Sequence, residues 1–243
     1  MTMIKIENLV KRYKSFTAVD NMSLSVEKGE LFALLGVNGA GKTTTIKSMC
    51  CLCPIDGGTI EIGGFSTASQ PDKVKQIIGV SPQETAVAKN LSVYENLVLM
   101  GGVHGFSKEK SKQTADELIG KFRLEEFRGK KAKTLSGGWQ RRLSIAMALV
   151  SSPEVLFLDE PTLGLDVIAR SELWDVINEL KGKMTIILTT HYMEEAESLS
   201  DRVGVMRSGK LLFCGTGEEM IGYAQADNFE NAFIKIVKDG EKQ

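Results

Sequence analysis

The fold of this chain is indicated first by the stretch Gly36-Val37-Asn38-Gly39-Ala40-Gly41-Lys42-Thr43, which fits the pattern G-x-x-x-x-G-K-[ST] without a gap. The continuous apolar run 31–35 comes before it, as in a strand buried on both faces, and a helical pattern through Ile46 follows it. The glycines allow a tight turn whose backbone N–H groups can approach phosphate oxygens, and the N-terminus of the following helix adds positive potential. The stretch therefore predicts a phosphate-binding loop between a strand and a helix.

The phosphate loop predicts ATP and Mg²⁺ as ligands. Lys42 should reach the β- and γ-phosphates, and the Thr43 hydroxyl should ligate Mg²⁺. The nucleotide contacts predicted for this segment come from Gly36, Asn38, Gly39, Ala40, Gly41, Lys42, Thr43 and Thr44.

A second apolar run, 155–158, ends in the two acids Asp159 and Glu160. Asp159 at the end of a strand can hold the Mg²⁺ shell. Glu160 beside it can polarise a water molecule for attack on the γ-phosphate. Two acids at the end of a strand are a weak signal alone, but together with the phosphate loop they predict an ATP-hydrolysing site.

The rest of the pattern favours an α/β fold with a mainly parallel sheet. Further strand patterns lie at residues 4–9, 22–26 and 186–188, and helical apolar spacing links Leu143 to Val150 and Leu173 to Leu180. From Ser92, which opens a capping box with Glu95, to about residue 150 only helix signals occur. We therefore expect one domain over 1–225 with a helical subdomain inserted at about 85–153, and a short C-terminal helix and tail over 226–243.

Composition limits the possible functions. The chain has 243 residues, 42% of them hydrophobic and 25% charged, and a net charge of -1, so it lacks the basic field of a dedicated nucleic-acid binder. No apolar run approaches the ~18 residues that cross a bilayer, and the N-terminus lacks a signal-peptide pattern. We expect a cytoplasmic protein that reaches the membrane peripherally, through a partner. Cys50, Cys51 and Cys53 lack the spacing of a metal site, so reduced thiols are expected.

At Leu135-Ser136-Gly137-Gly138, here called the L-S-G-G loop, the series of motifs resembles the ATPase subunits of ABC transporters, over about residues 4–218. The resemblance implies a P-loop NTPase core, an antiparallel β subdomain and the inserted helical subdomain. It also implies site roles: Tyr13 stacks on adenine, Gln83 senses Mg²⁺ and the attacking water, and His191 bonds the γ-phosphate. Ser136, Gly137 and Gly138 contact ATP held by the opposite subunit, and Asp166 lies in the loop that crosses the dimer interface.

One position departs from the family pattern. The fifth residue of the loop is usually glutamine, and here it is Trp139, followed by Gln140. An indole donates one hydrogen bond and accepts none, so it cannot replace an amide bond for bond. We expect activity to survive, since the phosphate contacts should come from Ser136 and backbone N–H groups of a helix that begins near Trp139. Ribose or interface contacts at this position are in doubt.

The resemblance also implies partners. Residues 82–84 and 190–197 look like the branch of exporters of drugs, antibiotics, ions or cell-envelope polymers, in which a separate chain spans the membrane. We expect that chain as one partner and a second ATP-binding subunit, paired head to tail, as another. The residues after Gln83 should receive the membrane partner, with Val87, Leu91 and Tyr94 as candidate contacts. Two alternatives stay open: a soluble ABC-type ATPase acting on ribosomes or nucleic acid, and a module that binds ATP without turnover.

Overall fold

The computed structural model describes residues 1–240, which form ten β-strands and nine α-helices. The strands are β1 (Thr2–Tyr13), β2 (Phe16–Glu27), β3 (Leu31–Gly36), β4 (Gly57–Ile62), β5 (Phe65–Ser66), β6 (Ile78–Ser81), β7 (Val155–Asp159), β8 (Thr185–Thr190), β9 (Arg202–Arg207) and β10 (Lys210–Gly215). The helices are α1 (Lys42–Met49), α2 (Pro71–Ile77), α3 (Val93–Val103), α4 (Lys108–Lys121), α5 (Gly137–Ala148), α6 (Val167–Leu180), α7 (Met193–Leu199), α8 (Gly217–Ala224) and α9 (Phe229–Asp239).

Six strands form the central sheet, in the order β10-β9-β3-β8-β7-β6. The neighbours β9-β3, β3-β8, β8-β7 and β7-β6 pair in parallel, and only β10 on β9 is antiparallel. The predicted α/β class with a mainly parallel sheet is therefore confirmed.

The central sheet is buried on both faces, which explains its uninterrupted apolar strands. In β3, Leu31, Ala33 and Leu35 belong to the core beneath the helices, whereas Phe32 and Leu34 point into a second core on the opposite face. Alternate residues of a strand point to opposite sides, so a strand between two cores needs an apolar residue at every position. Burying each large side chain contributes about 1.5–3 kcal/mol, so β3 anchors both layers.

A four-stranded antiparallel sheet, in the order β2-β1-β4-β5, supplies that second core. Ile4, Ile6 and Val26 of this sheet pack in the same cluster as Phe157 and Ile187 of the central sheet. The antiparallel β subdomain that the resemblance implies is confirmed by this arrangement.

Between β6 and β7 the named elements are helices: α3, α4, α5 and two 3₁₀ turns. The capping box at the start of α3 is confirmed, because the Ser92 hydroxyl accepts from the Glu95 amide at 3.2 Å and Glu95 accepts from the Ser92 amide at 2.7 Å. The expectation that Val87 contacts a partner is wrong: Val87 is 9% exposed and packs into the core beneath the helices. The boundaries of the inserted subdomain stay a prediction.

Helix α9 buries an apolar face formed by Phe229, Phe233, Ile236 and Val237. The end of the predicted tail, residues 241–243, lies outside the described residues. Within residues 1–240, no helix combines the length and the apolar character needed to cross a membrane.

Candidate functional site

The predicted site residues follow the carboxyl ends of neighbouring parallel strands. Leu35 pairs with Thr190, Asp159 with Thr189, and Ser81 with Leu158. Strands that pair in this register end at one edge of the sheet, so the loops after β3, β6, β7 and β8 meet there. Open α/β sheets bind ligands at this edge.

The phosphate loop needs glycine at both of its ends. A Cβ on Gly36 would lie 2.5 Å from the Met206 carbonyl oxygen, and a Cβ on Gly41 would lie 2.4 Å from the Ala18 carbonyl oxygen. Gly41 also has φ 107°, a conformation that side chains disfavour, and it caps α1. Only glycine therefore lets this loop turn directly from β3 into the N-terminus of α1.

Lys42 is buried, and its ammonium group lies inside the loop. Its Nζ donates to the Gly36 carbonyl at 2.6 Å and lies 3.3 Å from Glu160 Oε1. Both side chains are less than a tenth exposed. A phosphate entering the loop would offer this buried cation a second anionic partner, which is the contact predicted for it.

Thr43 and Asp159 place oxygen ligands together beside the loop. The Thr43 hydroxyl donates to Asp159 Oδ1 at 3.2 Å, and the Thr189 hydroxyl donates to the same oxygen at 2.5 Å. Hydroxyl and carboxylate oxygens are the ligands that Mg²⁺ takes in nucleotide sites. The residues present therefore fit the predicted metal, with Thr189 as an orienting contact that the sequence patterns did not indicate.

Glu160 is 6% exposed and joins two other predicted residues. One carboxylate oxygen faces Lys42, and the other makes a short hydrogen-bond contact with His191 Nδ1. The backbone of Glu160 is left-handed, with φ 51°, and its amide donates to the Thr189 hydroxyl at 3.1 Å. This local turn directs the carboxylate back over the phosphate loop.

A cavity of about 390 Å³ opens above the phosphate loop. Gln83 and Glu160 line it together with residues 38–44, so three predicted motifs share one space. Phe16, which is 61% exposed, lines the same cavity and was missed by the sequence analysis. An aromatic residue between two predicted strands was the only signal available for it.

Tyr13 lies next to this cavity, at the end of β1. It is 44% exposed, and Thr44 of the phosphate loop and Cys53 lie near enough to its hydroxyl to affect its pKa. Its pKa is raised, first by partial burial and then by Cys53. The ring is therefore held beside the loop, and its stacking on adenine stays a prediction.

The L-S-G-G loop does not line the cavity above the phosphate loop. Ser136 is exposed at the N-cap of α5, which begins at Gly137 and so slightly earlier than expected, and its hydroxyl makes no capping bond within the described residues. Asp166 is exposed at the N-cap of α6 and accepts from the Ala169 amide at 2.9 Å. A Cβ on Gly138 would lie 3.1 Å from Cβ of Ala169, so these two predicted motifs lie side by side.

Trp139 packs within its own subunit. Its ring centroid lies 4.4 Å from that of Phe127, and the Arg142 guanidinium lies 4.5 Å from its face. The side-chain amide of the following residue, Gln140, donates to the Leu135 carbonyl at 3.0 Å. The indole therefore supports the L-S-G-G loop by packing, while Gln140 makes a hydrogen bond from the neighbouring position.

Glu195 is a buried acid to which the sequence patterns assign no role. It has no exposed surface, and the Trp174 indole donates to its Oε1 at 3.2 Å. Burial raises its pKa, and the neighbouring Thr190 and Thr162, which adjoin His191 and the Glu160 turn, oppose that rise. Its second carboxylate oxygen, Oε2, has no hydrogen-bond partner within residues 1–240. The acid thus joins the segments that carry two predicted catalytic residues.

Comparison with known proteins gives a consistent result. A family model described as ABC transporter matches residues 19–163. The daunorubicin/doxorubicin resistance ATP-binding protein DrrA of Streptomyces peucetius is 42% identical over 218 residues, which cover 89% of this chain and 66% of that protein. The linearmycin resistance ATP-binding protein LnrL of Bacillus subtilis is 41% identical over 219 residues, which cover 90% of this chain and 70% of that protein. The chain thus spans about two thirds of the length of these relatives.

Two solved structures with a similar fold are also ABC ATP-binding proteins. The ATP-binding subunit of an ABC transporter superposes with a TM-score of 0.85 at 27% identity, covering 96% of this chain and 99% of that one. An ATP-binding cassette solved as a dimer in a post-hydrolysis state, bound to ADP and Pi, gives a TM-score of 0.79 at 26% identity. The superposition covers 88% of this chain and 98% of that one.

Proposed function

Because the chain belongs to the ABC transporter family, we propose that it is the Mg²⁺-dependent, ATP-hydrolysing subunit of an exporter whose membrane-spanning subunit is a separate chain. The observation that carries the proposal is the meeting of Lys42, Gln83 and Glu160 at one cavity, with the Thr43–Asp159 pair beside it.

The chemistry follows from these contacts. Lys42 neutralises the β- and γ-phosphates when they enter the loop, exchanging part of its contact with Glu160. Glu160 then accepts a proton from the attacking water, and His191 holds the carboxylate in place. Thr43 and Asp159 would hold Mg²⁺, and the ion would neutralise charge that develops on the phosphate oxygens. Gln83 reaches the same cavity from the loop after β6.

Phosphate release by the purified protein tests the reaction. ATP should be hydrolysed in the presence of Mg²⁺ and not in excess chelator. Lys42→Ala should lose the activity, since it removes the buried cation of the loop. Lys47→Ala, on the exposed face of the same helix, is the matched control. Equal phosphate release by both variants would show that the cavity is not the site.

A head-to-tail pair of subunits completes the proposed site. The exposed L-S-G-G loop and Asp166 lie outside the cavity that they are expected to serve, so a second chain must bring them to it. Val167 and Ile168, next to Asp166, are 71% and 73% exposed, as residues of an unpaired interface would be. Glu160→Gln with ATP should elute as a dimer on a sizing column, and with ADP as a monomer. A monomer at saturating ATP contradicts the composite site in the isolated subunit.

The membrane partner is proposed to dock beside Gln83. A cavity of about 190 Å³ lies there, lined by Ile78, Gly79, Val80, Ala86, Met100, His104, Ser144, Met147, Ala148 and Ser151. On the adjoining surface of α3, Leu99 and Val103 are 49% and 69% exposed. Tyr94, at the start of the helix, packs on the core and lies 4.1 Å below the Arg128 guanidinium. A short cytoplasmic helix of the partner fits this combination of apolar groove and exposed apolar rim.

Paired measurements test the docking. Tyr94→Ala and Val103→Ser should leave ATPase activity of the purified subunit nearly intact and lower transport by the assembled complex, because truncating a central contact costs roughly 1–3 kcal/mol of docking energy. Equal losses in both assays would make Tyr94 a packing residue. No loss in either assay would place the partner elsewhere.

The names of the relatives favour drug-like cargo, which the membrane subunit would select.

A further inference from the structure

Near the start of α5, three consecutive polar side chains point to three parts of the molecule. Gln140 Nε2 donates to the Leu135 carbonyl at 3.0 Å, closing the L-S-G-G loop onto its own helix. Arg142 Nη2 donates to Glu172 Oε2 of α6 at 2.5 Å. Arg141, between them, points to the carboxyl end of β6. Residues 140–142 therefore join the L-S-G-G loop, α6 and the central sheet.

Arg141 holds two consecutive carbonyl groups. Its Nη1 donates to the Pro82 carbonyl at 2.6 Å and its Nη2 to the Gln83 carbonyl at 2.5 Å. One turn further along α5, the Ser144 and Ser81 hydroxyls lie 3.0 Å apart, within hydrogen-bond distance. Residues 81, 82 and 83 are thus each bonded to α5 by a side chain of that helix.

The guanidinium makes this connection rigid. Arg141 is 5% exposed, and no carboxylate within residues 1–240 forms an ion pair with it. Burial lowers its pKa, and the charges of Asp159 and Glu195 oppose that effect. A planar group with donors in fixed directions cannot follow one carbonyl without carrying the other. Movement of the Gln83 main chain must therefore move the N-terminal part of α5, which carries Arg141.

We propose that Arg141 is a positioning residue that couples Gln83, which lines the cavity for the subunit's own ATP, to the L-S-G-G loop, which begins α5. The inference rests on the proposed function and deepens it. When the γ-phosphate binds, a shift of Gln83 displaces the Pro82 and Gln83 carbonyl groups. Because the Arg141 guanidinium is bonded to both, it displaces α5 with them, and Ser136 at the N-cap of α5 changes position. Each subunit thereby reports the occupancy of its own site to the site that it completes in the second subunit.

Arg141→Gln and Arg141→Lys test the coupling, with Arg123→Gln as the matched control. Arg123 is an exposed arginine of the same subdomain that pairs with Glu179. Glutamine cannot span both carbonyls, and lysine keeps the charge but not the paired donors. The phosphate loop is untouched, so binding of a fluorescent ATP analogue should stay within about twofold of wild type in all three variants.

Hydrogen exchange is the deciding measurement. It is made with Mg²⁺ and ATP at a protein concentration where sizing shows a monomer, so that contact with a second subunit does not contribute. In wild type and Arg123→Gln, ATP should change exchange in residues 81–84 and also in residues 136–140. In both Arg141 variants the first change should remain and the second should disappear. In the dimer, kcat should fall roughly 2- to 30-fold with KM little changed.

Retention of the exchange change at residues 136–140 in Arg141→Lys would overturn the proposal, as would an unchanged kcat in Arg141→Gln. If Arg141→Gln unfolds at a much lower temperature, Arg141→Lys decides the question. The exchange measurement needs only nucleotide binding. A wild-type protein that binds ATP without hydrolysing it would therefore contradict the proposed function while still testing Arg141.

Discussion

Asn96 is predicted to stabilise the segment that follows Gln83. Its side chain has no exposed surface: Oδ1 accepts from the Ala88 amide at 2.8 Å, and Nδ2 donates to the carbonyls of Ser92 at 2.8 Å and Ala88 at 3.2 Å. These bonds fold residues 88–92 against the first turn of α3. Asn96→Ala removes all of them while keeping a good helix-forming residue.

The expected loss follows from which groups are left without partners. The Ser92 carbonyl keeps its bond from the Asn96 amide at 3.0 Å, and the Ala88 carbonyl keeps its bond from the Leu91 amide at 3.0 Å. Only the Ala88 amide loses its protein partner. Nδ2 also donates to the Leu91 carbonyl at 3.4 Å, a longer contact. The three shorter hydrogen bonds, at about 1 kcal/mol each, give a loss of about 3 kcal/mol in the free energy of unfolding.

Urea unfolding at 25 °C, followed by far-UV circular dichroism, measures this loss, with Asn90→Ala as an exposed control in the same segment. Asn96→Asp should lose more than Asn96→Ala at neutral pH, because a carboxylate would face carbonyl oxygens. These neighbours raise the folded-state pKa of Asp, so its stability should recover as pH falls. A loss below about 1 kcal/mol in Asn96→Ala would refute the reasoning.

Three further predictions concern the site and its surroundings. The raised pKa of Glu195 means that the folded state holds its proton more tightly, so wild type should lose stability as pH rises above the ordinary value of 4.5. Melting temperatures measured between about pH 5 and 8 should fall with rising pH in wild type but not, from this cause, in Glu195→Gln. Parallel curves of melting temperature against pH for the two proteins would contradict the prediction. Trp139→Gln should cost roughly 1–2 kcal/mol in urea unfolding because it loses both of its stacking contacts, and Trp139→Phe should cost less. Phe16→Ala and Tyr13→Ala should each raise the Kd of a fluorescent ATP analogue about 2- to 10-fold, whereas Tyr13→Phe should not. An unchanged Kd in either alanine variant would remove that ring from the site.

The central sheet and the phosphate loop could be predicted because their constraints are local. A strand buried on both faces needs an apolar residue at every position, so 31–35 and 155–158 are visible without knowledge of their neighbours. The spacing of Gly36, Gly41 and Lys42 is likewise dictated by a single turn. Parallel pairing then brings the predicted loops to one edge of the sheet.

The remaining features depend on tertiary neighbours. Arg141 reads as part of a basic surface run, and Glu195 as part of an acidic one, until α5 and α7 are packed against the sheet. Val87 looks like a candidate contact in a polar stretch, but the fold buries it. Phe16 lines the cavity only because the fold places the β1–β2 hairpin beside the phosphate loop. No local pattern distinguishes these positions.

ATP hydrolysis and ATP binding by Glu160→Gln, measured together, test the central claim. The claim is that Glu160 is the general base for hydrolysis of ATP held in the phosphate loop. The amide cannot accept a proton from water, and it removes the negative partner of the buried Lys42. The variant should therefore bind ATP at least as tightly as wild type. Its rate of phosphate release should be lower than that of wild type by a factor of at least about 100, which is the loss typical of a missing general base. Wild-type phosphate release by Glu160→Gln would contradict the claim.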